Sequence, residues 1–454
     1  MKKHLVLHSK LLSMITMLIP FLWCWFAYYE ARTLSTHSVQ AFVILLVLYC
    51  GVYYAIAYHM DAYRFQTSRI RDLIFSQVVA IGVADVAAYL MIWMLSVHTP
   101  NPLPGLCAFI AQCVLSVLWS FVAQRSYFAT HPPMNAAVVY GTRQGVEKLV
   151  SEYGLSKRFE ISETYHVDDV LQSLDLLDNC QAVFLCGIHS HERNRILKYC
   201  IARDIRVLII PRIGDALMGA AEPMHILHLP IMYCRRRKPA SAYLFVKRAT
   251  DIVVSGIALI VLSPLMLVIA LAVKRDGGSA LYKQTRLTKD GKRFEILKFR
   301  SMCVDAEKFS GAVLSSGEDD PRITKVGRFI RACRLDELPQ LINILKGDMS
   351  LVGPRPERPE LASEYEKTLP EFALRLQVKA GLTGYAQVYG KYNTEPYDKL
   401  LMDLIYIARM GVLEDLCIML GTLKILTSKD STEGIAKGAT NAMRLEDTPA
   451  SDGE

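Results

Sequence analysis

Residues 247–275 read KRATDIVVSGIALIVLSPLMLVIALAVKR, and this stretch decides how the chain is laid out. From Ile252 to Val273 it carries no charge, and a helix of about 20 such residues can cross a bilayer. Ser263-Pro264 stands at its middle. Proline removes one helical hydrogen bond and bends the segment, and a serine hydroxyl can satisfy the backbone group set free. Basic pairs flank both ends, Lys247-Arg248 and Lys274-Arg275. Both ends therefore belong on the cytoplasmic face by the positive-inside rule. The pattern predicts a re-entrant helix over residues 252–273 that enters, breaks at Ser263-Pro264 and returns.

The residues upstream agree. Four further apolar runs, about 11–29, 39–58, 73–97 and 103–122, make residues 1–125 a bundle of four transmembrane helices. The first is long for a signal peptide and three more follow it, so it reads as an anchor. Lys2, Lys3 and Lys10 precede the first run, and Arg64, Arg69 and Arg71 lie between the second and third. The N-terminus and everything after Arg125 are thus expected in the cytoplasm. A fifth crossing at 252–273 would export the whole C-terminal part. Asp85 is the main charge inside these runs, too little for a transporter with paired broken helices.

The chain has 454 residues, 52 % of them hydrophobic, with a formal charge of +8. The apolar share exceeds the ~45–50 % of soluble domains. The basic excess suits an anionic membrane surface or a phosphorylated substrate. No zinc-finger or RNA-binding signature accompanies it, so no nucleic acid partner is expected. The 11 cysteines are scattered without a CxxC pair, as for reduced structural thiols.

Residues 134–235 alternate strand and helix signals, with strands expected at 136–140, 159–163, 182–186 and 207–210. That is a parallel, Rossmann-like α/β domain. Its first turn, Gly141-Thr142-Arg143-Gln144-Gly145, lacks the GxGxxG glycines, which weighs against an NAD(P) enzyme. A third domain spans 241–427, and residues 428–454 form a polar tail expected to be disordered.

The chemistry concentrates in residues 332–356, ACRLDELPQLINILKGDMSLVGPRP. Asp336 and Glu337 stand at the expected start of a short helix, with Pro339 in its first turn. Either carboxylate could act as a nucleophile or a divalent-cation ligand, and a capping Asp on an ordinary amphipathic helix is the plainer alternative. Arg328, Arg331 and Arg334 recur every three residues and could share a helix face. Arg355 is held between two prolines.

Several ordered motifs now carry a resemblance: KRATDIVVSGIALIVLSP (247–264), ALYKQTR (280–286), FEILKFRSM (294–302), residues 320–356 and GLTGYAQV (381–388). Together they resemble the catalytic domain of the bacterial sugar transferases, the monotopic polyprenyl-phosphate hexose-1-phosphate transferases. The membrane bundle and the α/β domain resemble the additions of that family's long-form members. The resemblance implies a mainly α catalytic domain in the bacterial cytoplasmic membrane. It implies transfer of a sugar 1-phosphate from a UDP-sugar to undecaprenyl phosphate with release of UMP. That reaction would initiate exopolysaccharide, capsule or O-antigen-type glycan assembly. It further implies ping-pong chemistry through a phosphosugar-aspartate on Asp336. Mg²⁺ would be held by Glu337 and Asp336, and Lys298, Arg300, Arg328, Arg331, Arg334 and Arg355 would hold phosphates. Membrane lipid is the expected surroundings, and a homo-oligomer is left open.

The chain departs from the family at 379–385, where Lys-Ala-Gly-Leu-Thr-Gly-Tyr replaces an Arg-Pro-Gly-(Ile/Leu)-Thr-Gly-Trp pattern. The rival reading is a nucleotide-sensing membrane scaffold or regulator with an inert C-terminal domain. The motifs do not name the sugar.

Overall fold

A computed structural model describes residues 2–30, 38–65, 68–144, 150, 155–226, 228–275, 277–303, 322–390, 395–426 and 444–445. The expected tail lies outside the described residues apart from 444–445, as do Gly145, Asp320 and Pro321. The chain divides into two compact units, Met1–Ile209 with Leu445–Glu454, and Ile210–Arg444.

The first unit opens with helices Lys2–Cys24, Ser38–His59, Ile70–Leu95 and Leu103–Thr130. All four contain stretches long and apolar enough to cross a membrane. Large apolar side chains such as Ile19, Val47, Met94 and Leu118 point outward, the reverse of a water-soluble bundle. Polar side chains join the helices inside. Tyr53 Oη donates to Gln77 Oε1 at 2.6 Å, and Gln112 Nε2 donates to Tyr49 Oη at 2.8 Å. Such bonds hold helices together where lipid supplies no hydrophobic drive.

Strands Met134–Tyr140, Phe159–His166, Ala182–Cys186 and Arg206–Ile209 follow, close to the expected positions. They form a parallel sheet in the order second, first, third, fourth. Valine and alanine dominate its buried centre, as in a sheet covered on both faces. The strand order reverses between the first and third strands, where open α/β sheets bind ligands. Here the two strand ends bond to each other: Gly141 N donates to Cys186 O at 3.0 Å and Thr142 Oγ1 to Gly187 O at 3.0 Å. A Cβ on Gly141 would lie 2.8 Å from Gly187 O. That close backbone approach leaves no room for a side chain at Gly141.

The second unit is mainly helical. Its core gathers Ile344, Met349, Leu400, Leu404, Tyr406 and Ile418. Residues 210–233, which the sequence pattern placed in the α/β domain, belong to this unit. Ile213 and Ala216 pack against its core. A hairpin of Leu281–Leu287 with Arg293–Phe299 and a short parallel pair of Ser350–Val352 with Gly381–Thr383 supply the sheet.

The decisive stretch lies in one helix, Ser241–Arg275, longer than expected and continuous through Pro264. Pro264 has no N–H to offer Ile260 O, and Ser263 Oγ donates to that carbonyl at 2.8 Å. Both halves of the helix are fastened to the same unit. In the first half, Arg248 donates to Ile344 O and Leu345 O at 2.7 and 2.8 Å. Asp251, 4 % exposed, accepts from Ser350 Oγ at 3.0 Å and Leu351 N at 2.9 Å. In the second half, Ile269 and Val273 are buried with Phe299 and Ile330. The middle is bare, with Ile260 76 % and Val261 68 % exposed.

Candidate active site

Asp336 and Glu337 lie in a tight 3-10 turn, Leu335–Glu337, between helices Lys325–Ala332 and Gln340–Lys346. The expected helix start at Asp336 is therefore displaced by four residues, and Pro339 caps the Gln340 helix. Arg334 precedes the turn in the left-handed region at φ 55°. That reversal ends the Lys325 helix, so Arg334 leaves the face it was expected to share with Arg328 and Arg331. Arg328 is exposed at the surface, whereas Arg331 is half-buried.

Glu337 is the anchored member of the dyad. Its Oε1 accepts from Lys298 Nζ and from Arg355 Nη2, both at 2.8 Å. Lys298 comes from the hairpin strand Arg293–Phe299 and Arg355 from the Gly-Pro-Arg-Pro loop, so two of the ordered motifs meet on one carboxylate. Burial acts to raise Glu337, but the Arg355 and Lys298 charges outweigh it and hold it well below the usual carboxylate range. Asp336 moves the other way. Burial, and then the Glu337 charge, push it up against Lys298, Arg331 and Arg355. Adjacent carboxylates split in this way divide labour between a fixed anion and a reactive one. Arg331 Nη1 is buried without a hydrogen-bond partner among the described residues, which leaves a donor for an incoming phosphate oxygen.

Arg300 does something else. Its guanidinium donates to Ser279 O at 2.9 Å, Met302 O at 3.3 Å, Val273 O at 2.9 Å and Gly277 O. It closes the C-terminal end of the Ser241–Arg275 helix, where a cation meets unpaired carbonyls. The structure thus places its guanidinium on the backbone, whereas Lys298 reaches the dyad.

The loop bearing Arg355 is held from below by residues the sequence did not single out. Arg375 Nη2 donates to Arg355 O at 2.9 Å, and Arg375 Nε to Asp403 Oδ2 at 2.9 Å. Arg375 is 2 % and Asp403 1 % exposed. Arg286 Nη1 donates to Pro356 O at 3.1 Å. Close backbone contact does the rest: a Cβ on Gly381 would lie 2.1 Å from Gly353 N. The departures at 379–385 fit this contact. Ala380 N donates to Thr288 Oγ1 at 3.2 Å, a bond that the proline of the family pattern could not make. Lys379 Nζ donates to Gly347 O at 2.8 Å.

Among the described residues no three His, Cys, Asp or Glu side chains gather. The dyad's two carboxylates suit Mg²⁺, which is held by one or two carboxylates and otherwise by waters and substrate phosphates. Asp336 and Glu337 would be its protein ligands, and the ion would neutralise diphosphate charge.

The raised Asp336 has a measurable consequence. If Asp336 is the attacking carboxylate, only its ionised form can react, and the rate should fall as pH drops through a value above the ordinary ~3.9 of aspartate. Lys298→Met removes a cation that opposes the shift and should move this acid limb to higher pH. A normalised pH profile identical in the two proteins would exclude Asp336 as the group observed.

Residues 242–429 match the bacterial sugar transferase family. A UDP-N-acetylgalactosamine-undecaprenyl-phosphate N-acetylgalactosaminephosphotransferase of Aeromonas hydrophila is 36 % identical over 239 residues, 52 % of this chain and 55 % of that protein. A UDP-glucose:undecaprenyl-phosphate glucose-1-phosphate transferase of Caulobacter vibrioides is 41 % identical over 191 residues, 41 % of this chain and 71 % of that protein. An undecaprenyl-phosphate galactose phosphotransferase of Salmonella typhimurium is 39 % identical over 199 residues, 41 % of each chain. The chain spans about half the length of the first curated relatives it matches. With its ordered motifs folded around one acidic dyad, and with the Caulobacter relative covered over most of its length, the chain belongs to the bacterial sugar transferase family.

Proposed function

We propose that this protein transfers a sugar 1-phosphate from a UDP-sugar to undecaprenyl phosphate and so initiates a membrane-assembled glycan. The observation that carries the reading is Glu337 locked between Lys298 and Arg355, with the less restrained Asp336 beside it. A carboxylate oxygen of Asp336 attacks the phosphorus that bears the sugar. The bond from that phosphorus to the UMP oxygen breaks, UMP leaves, and a phosphosugar-aspartate remains. A phosphate oxygen of the polyprenyl acceptor then attacks the same phosphorus and returns Asp336 as carboxylate. Each step brings anions together, and Lys298, Arg331 and Arg355 offset that repulsion. Mg²⁺ at the dyad, when bound, adds further charge neutralisation.

The test is to offer the purified full chain a panel of UDP-sugars with undecaprenyl phosphate and to follow UMP release. Sustained release with one or a few sugars is expected. Absence of turnover with every sugar would sink the reading. The relatives' names differ in the sugar, so the panel also decides that point.

The membrane placement is part of the same proposal. The protein lies in the bacterial cytoplasmic membrane with its N-terminus and catalytic unit on the cytoplasmic side, and the Ser241–Arg275 helix bends at Ser263-Pro264 and re-enters. Its support is that both halves of that helix are fastened to one unit while its middle is bare and apolar. Single cysteines near Thr250 and Gly277, in a background without native thiols, should both be labelled from the cytoplasmic side only. Labelling of the Gly277 site from outside would show a crossing helix instead.

A further inference from the structure

Asp85 takes no part in the reaction, yet it stands inside the apolar bundle, where an ionisable group is costly to keep. It lines a cavity of about 340 Å³ between the first, third and fourth helices. Phe21, Trp25, Tyr29, Tyr89 and Phe109 line it too, and no basic side chain is among its lining residues. Asp85 is hydrogen-bonded to Gln112 and Tyr49, yet two buried polar atoms of the lining, Asp85 Oδ2 and Trp25 Nε1, have no hydrogen-bond partner among the described residues. Trp25 is 1 % exposed. Surrounded by lipid, each such atom costs on the order of several kcal/mol unless something meets it.

The backbone is also shaped here. The first helix widens into a π turn over Trp25–Tyr29, which turns both end residues inward. Such turns recur at functional sites. Tyr29 Oη and Tyr89 Oη donate to Asn101 O and Pro100 O, both at 2.8 Å, and so tie the lining to the loop before the fourth helix. The volume is on the order of ten waters at about 30 Å³ each, while the walls are mostly aromatic and apolar. An occupant must therefore be largely apolar, donate to a carboxylate and accept from an indole. Aromatic faces around a carboxylate favour a cation over a neutral donor.

We propose that this cavity binds a primary-amine amphiphile, its ammonium donating to Asp85 and an adjacent oxygen accepting from the Trp25 indole. The proposal rests on the reading of the bundle as membrane-spanning, and it is independent of the transfer reaction. The chemistry is shared by a phosphatidylethanolamine headgroup and by a free amino alcohol.

The experiment uses the full chain in nanodiscs of phosphatidylcholine and phosphatidylglycerol, with the thermal unfolding midpoint as readout. The vicinal aminododecanol, 2-aminododecan-1-ol, should raise the midpoint saturably, and dodecane-1,2-diol, of the same length without the charge, should not. Asp85→Asn should weaken the aminododecanol response at least tenfold. Trp25→Phe keeps a ring and loses the donor, so it should weaken the response by less, and it serves if Asp85→Asn does not fold. Replacing part of the phosphatidylcholine with phosphatidylethanolamine identifies the source. A rise that Asp85→Asn removes assigns the lipid, and a response to aminododecanol alone assigns a free amine. Equal responses to the amine and the diol, an unchanged response in both variants, or no response to either amine would overturn the proposal. Phosphosugar transfer by the Asp85→Asn protein should equal wild type, so a loss of transfer cannot stand in for a loss of binding.

Discussion

Asp336→Asn should lower turnover by roughly 10⁴-fold or more, the scale seen when a covalent nucleophile is deleted. Its amide cannot form the acyl phosphate, but it preserves the shape of the Leu335–Glu337 turn and leaves Glu337 on Lys298 and Arg355. Expression, membrane insertion and thermal stability should therefore be close to wild type. Wild-type protein given UDP-sugar alone should release one equivalent of UMP in a burst and carry phosphosugar on Asp336. Release that depends strictly on undecaprenyl phosphate, with no labelled protein trapped, would indicate direct transfer. Glu337→Gln should be severe as well. Its amide oxygen can still accept from Lys298 and Arg355, but the two cations lose their shared anion.

Arg375→Met should destabilise the second unit by about 3–5 kcal/mol, because it strands the buried Asp403 carboxylate. Arg375→Lys keeps the charge but not the fork that reaches both Asp403 and Arg355 O, so it should recover stability in part. The double variant Arg375→Met/Asp403→Leu removes both buried charges and should regain most of the stability. It should not regain activity. Without the Arg375 tether, the Gly-Pro-Arg-Pro loop no longer fixes Arg355 against Glu337, and kcat should fall more than KM rises. Thermal unfolding and kinetics on the same preparations separate the two effects. Full activity in the stable double variant would reduce Arg375 to a packing residue.

Much of the site was legible in advance because its chemistry needs particular residue types at short spacing. An adjacent acid pair, nearby arginines and Gly-Pro-Arg-Pro stand within 25 residues, and the structure brings Lys298 and Arg355 to Glu337. Arg300 shows the limit. In sequence it is two residues from Lys298, a spacing that would share one strand face, but the strand ends at Phe299 and Arg300 lies beyond it. Arg300 finds four carbonyls near the end of a helix while Lys298 finds the dyad. No spacing rule distinguishes a cation that meets the acid dyad from one that meets the backbone.

The apolar runs and the strand pattern by themselves determined four helices long and apolar enough to cross a membrane and a parallel sheet, and the motif at 332–356 set Asp336 beside Glu337. Each rests on local composition or on a periodicity of a few residues. Only the tertiary structure decided that the dyad sits in a 3-10 turn behind a left-handed Arg334. It alone showed that Ile213 and Ala216 pack with the core of the second unit, and that Asp251, Arg375 and Asp403 are buried fastenings within it. Those residues look like ordinary surface charges in the sequence. Their partners lie 100 and 28 positions away, and the burial that makes each pair matter exists only once the chain has folded around it.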